Sequence, residues 1–169
     1  MLNAIIIGNL CTILAMIFNA LSSTRKTPKG VLLTQNFGQV AYIISAIALK
    51  GYSAAVQNVV SILRNLAAAK NIKSKVLEWT LVVLGVVFGV AFNNRGWIGL
   101  LPVIGNLEYT LAIFRYKNDE RKIKVFFLIS VVAFIIFNFA ISNYAGVVAD
   151  SVVVITTAIM LLKPIKKEA

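Results

Sequence analysis

Three ionisable side chains stand inside long apolar runs of this chain: Arg64, Glu108 and Asp150. A charge at a helix centre costs about 2.5–3.5 kcal/mol on insertion scales, so each is expected to face protein or a water-filled cavity. At ~1.5 Å rise per residue, Arg64 and Glu108 come to a similar depth, and a buried ion pair between them is expected. Arg64 can alternatively snorkel to the headgroups. Three amides accompany the charges: Asn9, Asn58 and Asn106. Such groups can hydrogen-bond a polar solute, or they can tie helices together at about 0.6 kcal/mol each. The candidate solute-binding set is therefore Asn58, Asp150, Asn106, Asn9, Glu108 and Arg64. Gln35, Gln39 and Tyr42 share one face of the second apolar run. Trp79, Trp97 and Tyr144 fall near run ends and read as interfacial aromatics.

Other chemistries find no residues. The chain has no His and a single Cys, Cys11. Imidazole acid–base work, most zinc sites and an intrachain disulfide are thereby excluded. No nucleophile–base pair, metal cluster or phosphate loop is readable. An enzyme is not expected, and no cofactor is. Asp119-Glu120 lies among five basic residues and reads as a solvated turn.

The elements that must position these residues are membrane helices. Of 169 residues, 59% are hydrophobic and 14% charged, against roughly half and a quarter in a soluble domain. Spanning takes about 20 apolar residues, fewer in a bundle. Seven runs come near this, at Leu2–Leu21, Val31–Leu49, Tyr52–Ala69, Leu77–Phe92, Trp97–Phe114, Val125–Ser142 and Ala145–Leu162. The third is the most polar; the fourth is the shortest and carries Gly85 and Gly89.

Net charge is +11. In a soluble protein this would suggest nucleic acid; here it follows the loops. Fourteen of the 17 Lys and Arg residues fall in the first, third and fifth loops and the C-terminus, while Lys50 and Arg95 lie on the other side. The positive-inside rule then predicts an outside N-terminus and a cytoplasmic C-terminus. The partners expected are the lipid bilayer and a small polar solute, with no nucleic acid; a homo-oligomer is compatible with the pattern.

The chain also repeats itself. Ile7-Gly8-Asn9-Leu10 returns 97 positions later as Ile104-Gly105-Asn106-Leu107. Val40-Ala41-Tyr42-Ile43-Ile44 returns 92 positions later as Val132-Ala133-Phe134-Ile135-Ile136, and Asn58 returns as Asp150. An offset that changes once, inside a loop, marks a duplication. Residues 1–70 form the first three-helix repeat, 71–96 a linker helix, and 97–169 the second repeat with a short basic tail. A three-helix unit ends opposite its start, so repeating it in one orientation needs one extra crossing. The expected fold is an all-α polytopic membrane protein of seven transmembrane helices, a 3+1+3 parallel repeat.

Several segments carry a resemblance: Ser23-Thr24-Arg25-Lys26-Thr27 before Leu32-Leu33-Thr34-Gln35; Gly51-Tyr52-Ser53-Ala54-Ala55-Val56-Gln57-Asn58; Ser61-Ile62-Leu63-Arg64-Asn65; and Leu100-Leu101-Pro102-Val103-Ile104-Gly105. With them the chain resembles the YgjV-type bacterial inner-membrane family. More widely it resembles the SWEET/MtN3 superfamily, which includes the PQ-loop proteins. The wider resemblance implies small-solute transport by two three-helix bundles, with a third-helix asparagine of each repeat lining the pocket. Asn58 and Asp150 hold those positions here. Of the superfamily's hinge prolines, Pro102 alone is present. The expected function is a transporter of a neutral polar solute, a sugar being one candidate, in the bacterial inner membrane. The alternative is a non-transporting structural or partner-binding protein of the same fold.

Overall fold

The computed structural model describes residues 2–162 apart from Asn71, Lys73, Lys117 and Asn118. Lys163, Lys166 and Lys167 of the basic tail therefore lie outside the described residues. Among these residues the chain forms seven helices: α1 Leu2–Ser23, α2 Pro28–Ala48, α3 Tyr52–Ala69, α4 Lys75–Ala91, α5 Leu101–Arg115, α6 Glu120–Ala140 and α7 Tyr144–Leu162. Four of them, α1, α2, α6 and α7, are long and apolar enough to cross a membrane. α3 has 18 residues with four polar ones buried, and α4 and α5 have 17 and 15. A 3-10 turn at Ile98–Leu100 lengthens α5 at its start.

Local chemistry sets the boundaries. α2 starts at a cap, with the Thr27 side chain accepting from the Gly30 N–H at 3.1 Å. α6 starts likewise, Asp119 accepting from the Lys122 N–H at 3.0 Å. Both helices therefore begin several residues before their apolar runs, because a capping side chain satisfies the free N–H groups of the first turn. This corrects the reading of Asp119-Glu120 as a turn: Asp119 is the cap and Glu120 the first helical residue. Pro102 occupies the first turn of α5, where its missing N–H costs no intrahelical bond. It is buried and stands at no mid-helix hinge.

α2 and α6 also end alike. After α2, Lys50 has φ +56°, with Gly51 N–H donating to Ala46 and Lys50 N–H to Ile47. After α6, Ser142 has φ +62°, with Asn143 N–H donating to Asn138 and Ser142 N–H to Phe139. Both are Schellman turns, in register at 92 positions. Neither carries glycine at its left-handed residue. Gly51 is needed one position later for closeness, since a Cβ there would stand 2.9 Å from the Phe137 ring.

In packing, α2 lies between α1 and α3, and α6 between α5 and α7. The two groups meet where α1 touches α7 and α3 touches α5, and α4 packs on α3 and α5. Gly85 and Gly89 give α4 one small-residue face, which lets it approach α3 and α5 closely. The outer surface is apolar: Leu10, Ile17, Val83, Val87, Ile155 and Ile159 are all exposed. An apolar exterior around buried Thr, Ser, Gln and Asn reverses the soluble pattern and suits lipid. Trp79, Trp97 and Tyr144 are exposed too.

Candidate functional site

A cavity of about 510 Å³ lies between the two helix groups. α1, α2 and α3 supply one wall; α5, α6 and α7 supply the other. Asn58, Arg64, Asn106 and Asp150 all line it. Asn9 and Glu108 do not.

Asp150 anchors the polar wall. Its Oδ2 accepts from Asn138 Nδ2 at 2.8 Å. Asn138 Oδ1 accepts from Asn143 Nδ2 at 3.0 Å, and Asn143 Oδ1 from the Gly146 N–H at 3.2 Å. This run of amides fixes the orientation of one carboxylate oxygen. The positions 92 residues earlier are Ala46, Gly51 and Ala54, so Asn58 stands without such support. The asymmetry extends along the wall. α2 contributes Gln39 and Tyr42, where α6 contributes the apolar Val131 and Phe134. Gln39 Oε1 is buried with no hydrogen-bond partner among the described residues. Gln35, on the same face of α2 by sequence, does not reach the lining.

Arg64 enters from α3. It also lines a second cavity of about 300 Å³ between α3, α4 and α5, as does Asn106. These two residues therefore belong to the partition between the cavities. The expected ion pair with Glu108 does not form: among the described residues, the ion pair is Lys122–Asp119 at 3.0 Å. The reason is azimuth. Asn106 points towards α3, donating to Gln57 Oε1 at 2.7 Å. Glu108 follows two residues later, about 200° round the helix. Its Oε1 is covered and unpartnered among the described residues.

Asn9 is a clamp. Its Nδ2 donates to the Ile5 and Ser142 carbonyls at 2.9 and 3.0 Å, and its Oδ1 accepts from the Ala145 N–H at 2.8 Å. It binds α1 to the α6–α7 corner. Gln57, not singled out by the sequence, is a second tie. It accepts from Asn106 and donates to the Gly85 carbonyl of α4 at 2.8 Å. Arg95 is a third, donating from Nη2 to the Leu49 carbonyl at 2.7 Å and from Nε to Lys50 at 3.0 Å. Those carbonyls close α2, where a cation is favoured.

The cavity ends in an apolar plug beside the two corners. Ala46, Leu49, Ala54, Ala55, Phe137 and Ile141 pack there, joined by Ile98 and Leu101. Phe137 is wholly buried.

An apolar exterior, helices of spanning length and buried polar groups turned inward define an integral membrane protein. The family described as bacterial inner membrane protein, Imp-YgjV, matches residues 6–168, and the chain belongs to it. No curated protein and no solved structure matches the chain.

Proposed function

We propose that this protein is a seven-span carrier of a small polar solute with no net charge, built as two parallel three-helix repeats joined by α4, in a SWEET-like arrangement. The observation that carries the reading is the cavity between the two helix groups, with Asn58 and Asp150 on opposite walls. Transporter sites commonly lie at such repeat interfaces. The repeat itself is supported by three coincidences at 92 positions: the caps Thr27 and Asp119, the 21-residue lengths of α2 and α6, and the twin Schellman turns. Rocking of one bundle against the other would part the plug around Phe137. The basic loops would lie in the cytoplasm, with the N-terminus outside.

The test is exchange of labelled solutes by the purified chain in liposomes, with Asn58→Ala as the matched variant. The reading expects saturable exchange by the wild type. Asn58→Ala, which loses both a donor and an acceptor, is expected to raise the half-saturating concentration about five- to tenfold. The plug and the cross-bundle amides favour a second reading, a static membrane component of the same fold. Absence of exchange for every small polar solute in a folded sample would select that one.

A further inference from the structure

Arg64 and Asp150 are the two residues with a formal charge that line the cavity. They are not ion-paired to each other, nor to any other described residue. Asp150 Oδ2 is held by Asn138, while Oδ1 takes no donor among the described residues. Tyr109, a neighbour of Arg64, also lines the cavity. One cation and one anion thus share the cavity without neutralising one another. Holding such charges unpaired is unfavourable.

We infer that the solute is a zwitterion, with a carboxylate taken by Arg64 and an ammonium taken by Asp150. The inference rests on the transport reading above and names its substrate class. A polyol entering the cavity would strip water from both charges and return only dipoles. A singly charged solute would satisfy one side chain and strand the other. A zwitterion compensates both and brings no net charge into the membrane. Arg64 stands twelve residues into α3 and Asp150 six residues into α7. The two helices start at equivalent corners, so the axial gap is about 9 Å at ~1.5 Å per residue, which the long arginine side chain shortens. The spacing suits an amino acid with about three to five methylenes between its charges better than an α-amino acid.

The experiment is exchange by the full chain in liposomes, competed with glycine, 4-aminobutyrate, 5-aminopentanoate, 6-aminohexanoate, pentanoate, pentylamine and glucose. The longer amino acids are expected to compete at least about tenfold better than glucose, pentanoate or pentylamine. Asp150→Asn should shift the preference towards pentanoate, and Arg64→Gln towards pentylamine. Exchange of glucose with no advantage for any amino acid would overturn the zwitterion and leave the transport reading standing. Exchange of none of these by a folded wild type would likewise overturn the zwitterion, and the wider solute panel above then decides the transport reading. Because the wild-type ranking decides alone, poor folding of either variant does not rescue the proposal.

Discussion

Asn9 and Asn106, 97 positions apart, each reach out of their own helix group into the other. Asn9 of α1 binds the corner that opens α7, and Asn106 of α5 binds Gln57 of α3. Among the described residues, the same residue type at two positions 97 apart makes these cross-group ties. Among the described residues, Asn9 makes three hydrogen bonds and Asn106 one. Asn9→Ala should therefore destabilise more than Asn106→Ala, which is expected to lose about 0.6 kcal/mol. Thermal unfolding in one detergent compares them directly.

Orientation is testable by labelling. In a Cys11→Ala background, cysteines replacing Lys26 or Arg121 should resist an impermeant thiol reagent in intact cells. One replacing Asn94 should react. Asn94 is chosen because its neighbour Arg95 holds the α2 carbonyls. Labelling at Lys26 and protection at Asn94 would invert the topology.

The two glycines of α4 should respond differently to alanine. A Cβ at Gly89 would stand 2.6 Å from Gln57 Nε2 and 2.7 Å from Val103. Gly89→Ala must push Gln57 off the Gly85 carbonyl, and overpacking of this kind costs about 1–3 kcal/mol. At Gly85 the nearest atom is Gln57 Oε1 at 3.4 Å, an ordinary contact. Gly85→Ala should be neutral or slightly stabilising, since alanine is the better helix former. Equal losses at both sites would refute the close approach at Gly89.

Arg64 and Glu108 should behave independently. Glu108→Gln and Arg64→Gln are expected to be additive within about 0.5 kcal/mol, as for residues without contact. A coupling of several times that size would mean that the two charges meet.

Asp119 offers a pH test outside the spans. Its carboxyl is held below the usual range, first by the Lys122 N–H bond and then by its side-chain and ionic contacts with Lys122. A depressed folded value adds stability that is present above the ordinary carboxylate pKa of about 3.9 and is lost as pH falls through the folded value. The difference in Tm between wild type and Asp119→Asn should therefore shrink as pH falls from about 5 towards 2. A constant difference would show that charge plays no part in the cap.

The helices themselves were legible because apolar runs report what lies in lipid, and the caps at Thr27 and Asp119 explain the residues those runs missed. That Asn58 and Asp150 line one cavity is hinted at by the 92-residue offset, which pairs the two positions in the sequence. Asn138 leaves no such hint, because Ala46 stands 92 positions before it and an offset argument passes over whatever one half lacks. Gln57 was hidden for another reason. Its partners are a backbone carbonyl and a side chain 49 positions away, and neither leaves a sequence pattern. The Arg64–Glu108 pairing failed because depth along a helix was reckoned without the angle around it, although Asn106 two residues earlier fixes that angle.

The plug around Phe137 bears on the cell's energy supply. A hydrated cavity of about 510 Å³ could conduct protons if it opened at both ends. A hydrophobic constriction stops such conduction by excluding water. The side chains of Ala46, Ala54, Phe137 and Ile141 pack together at the corner end of the cavity, next to Asn143 and Gly146 of its polar wall. A carrier of the proposed kind must keep that end shut whenever the other is open, or it would discharge the membrane that holds it.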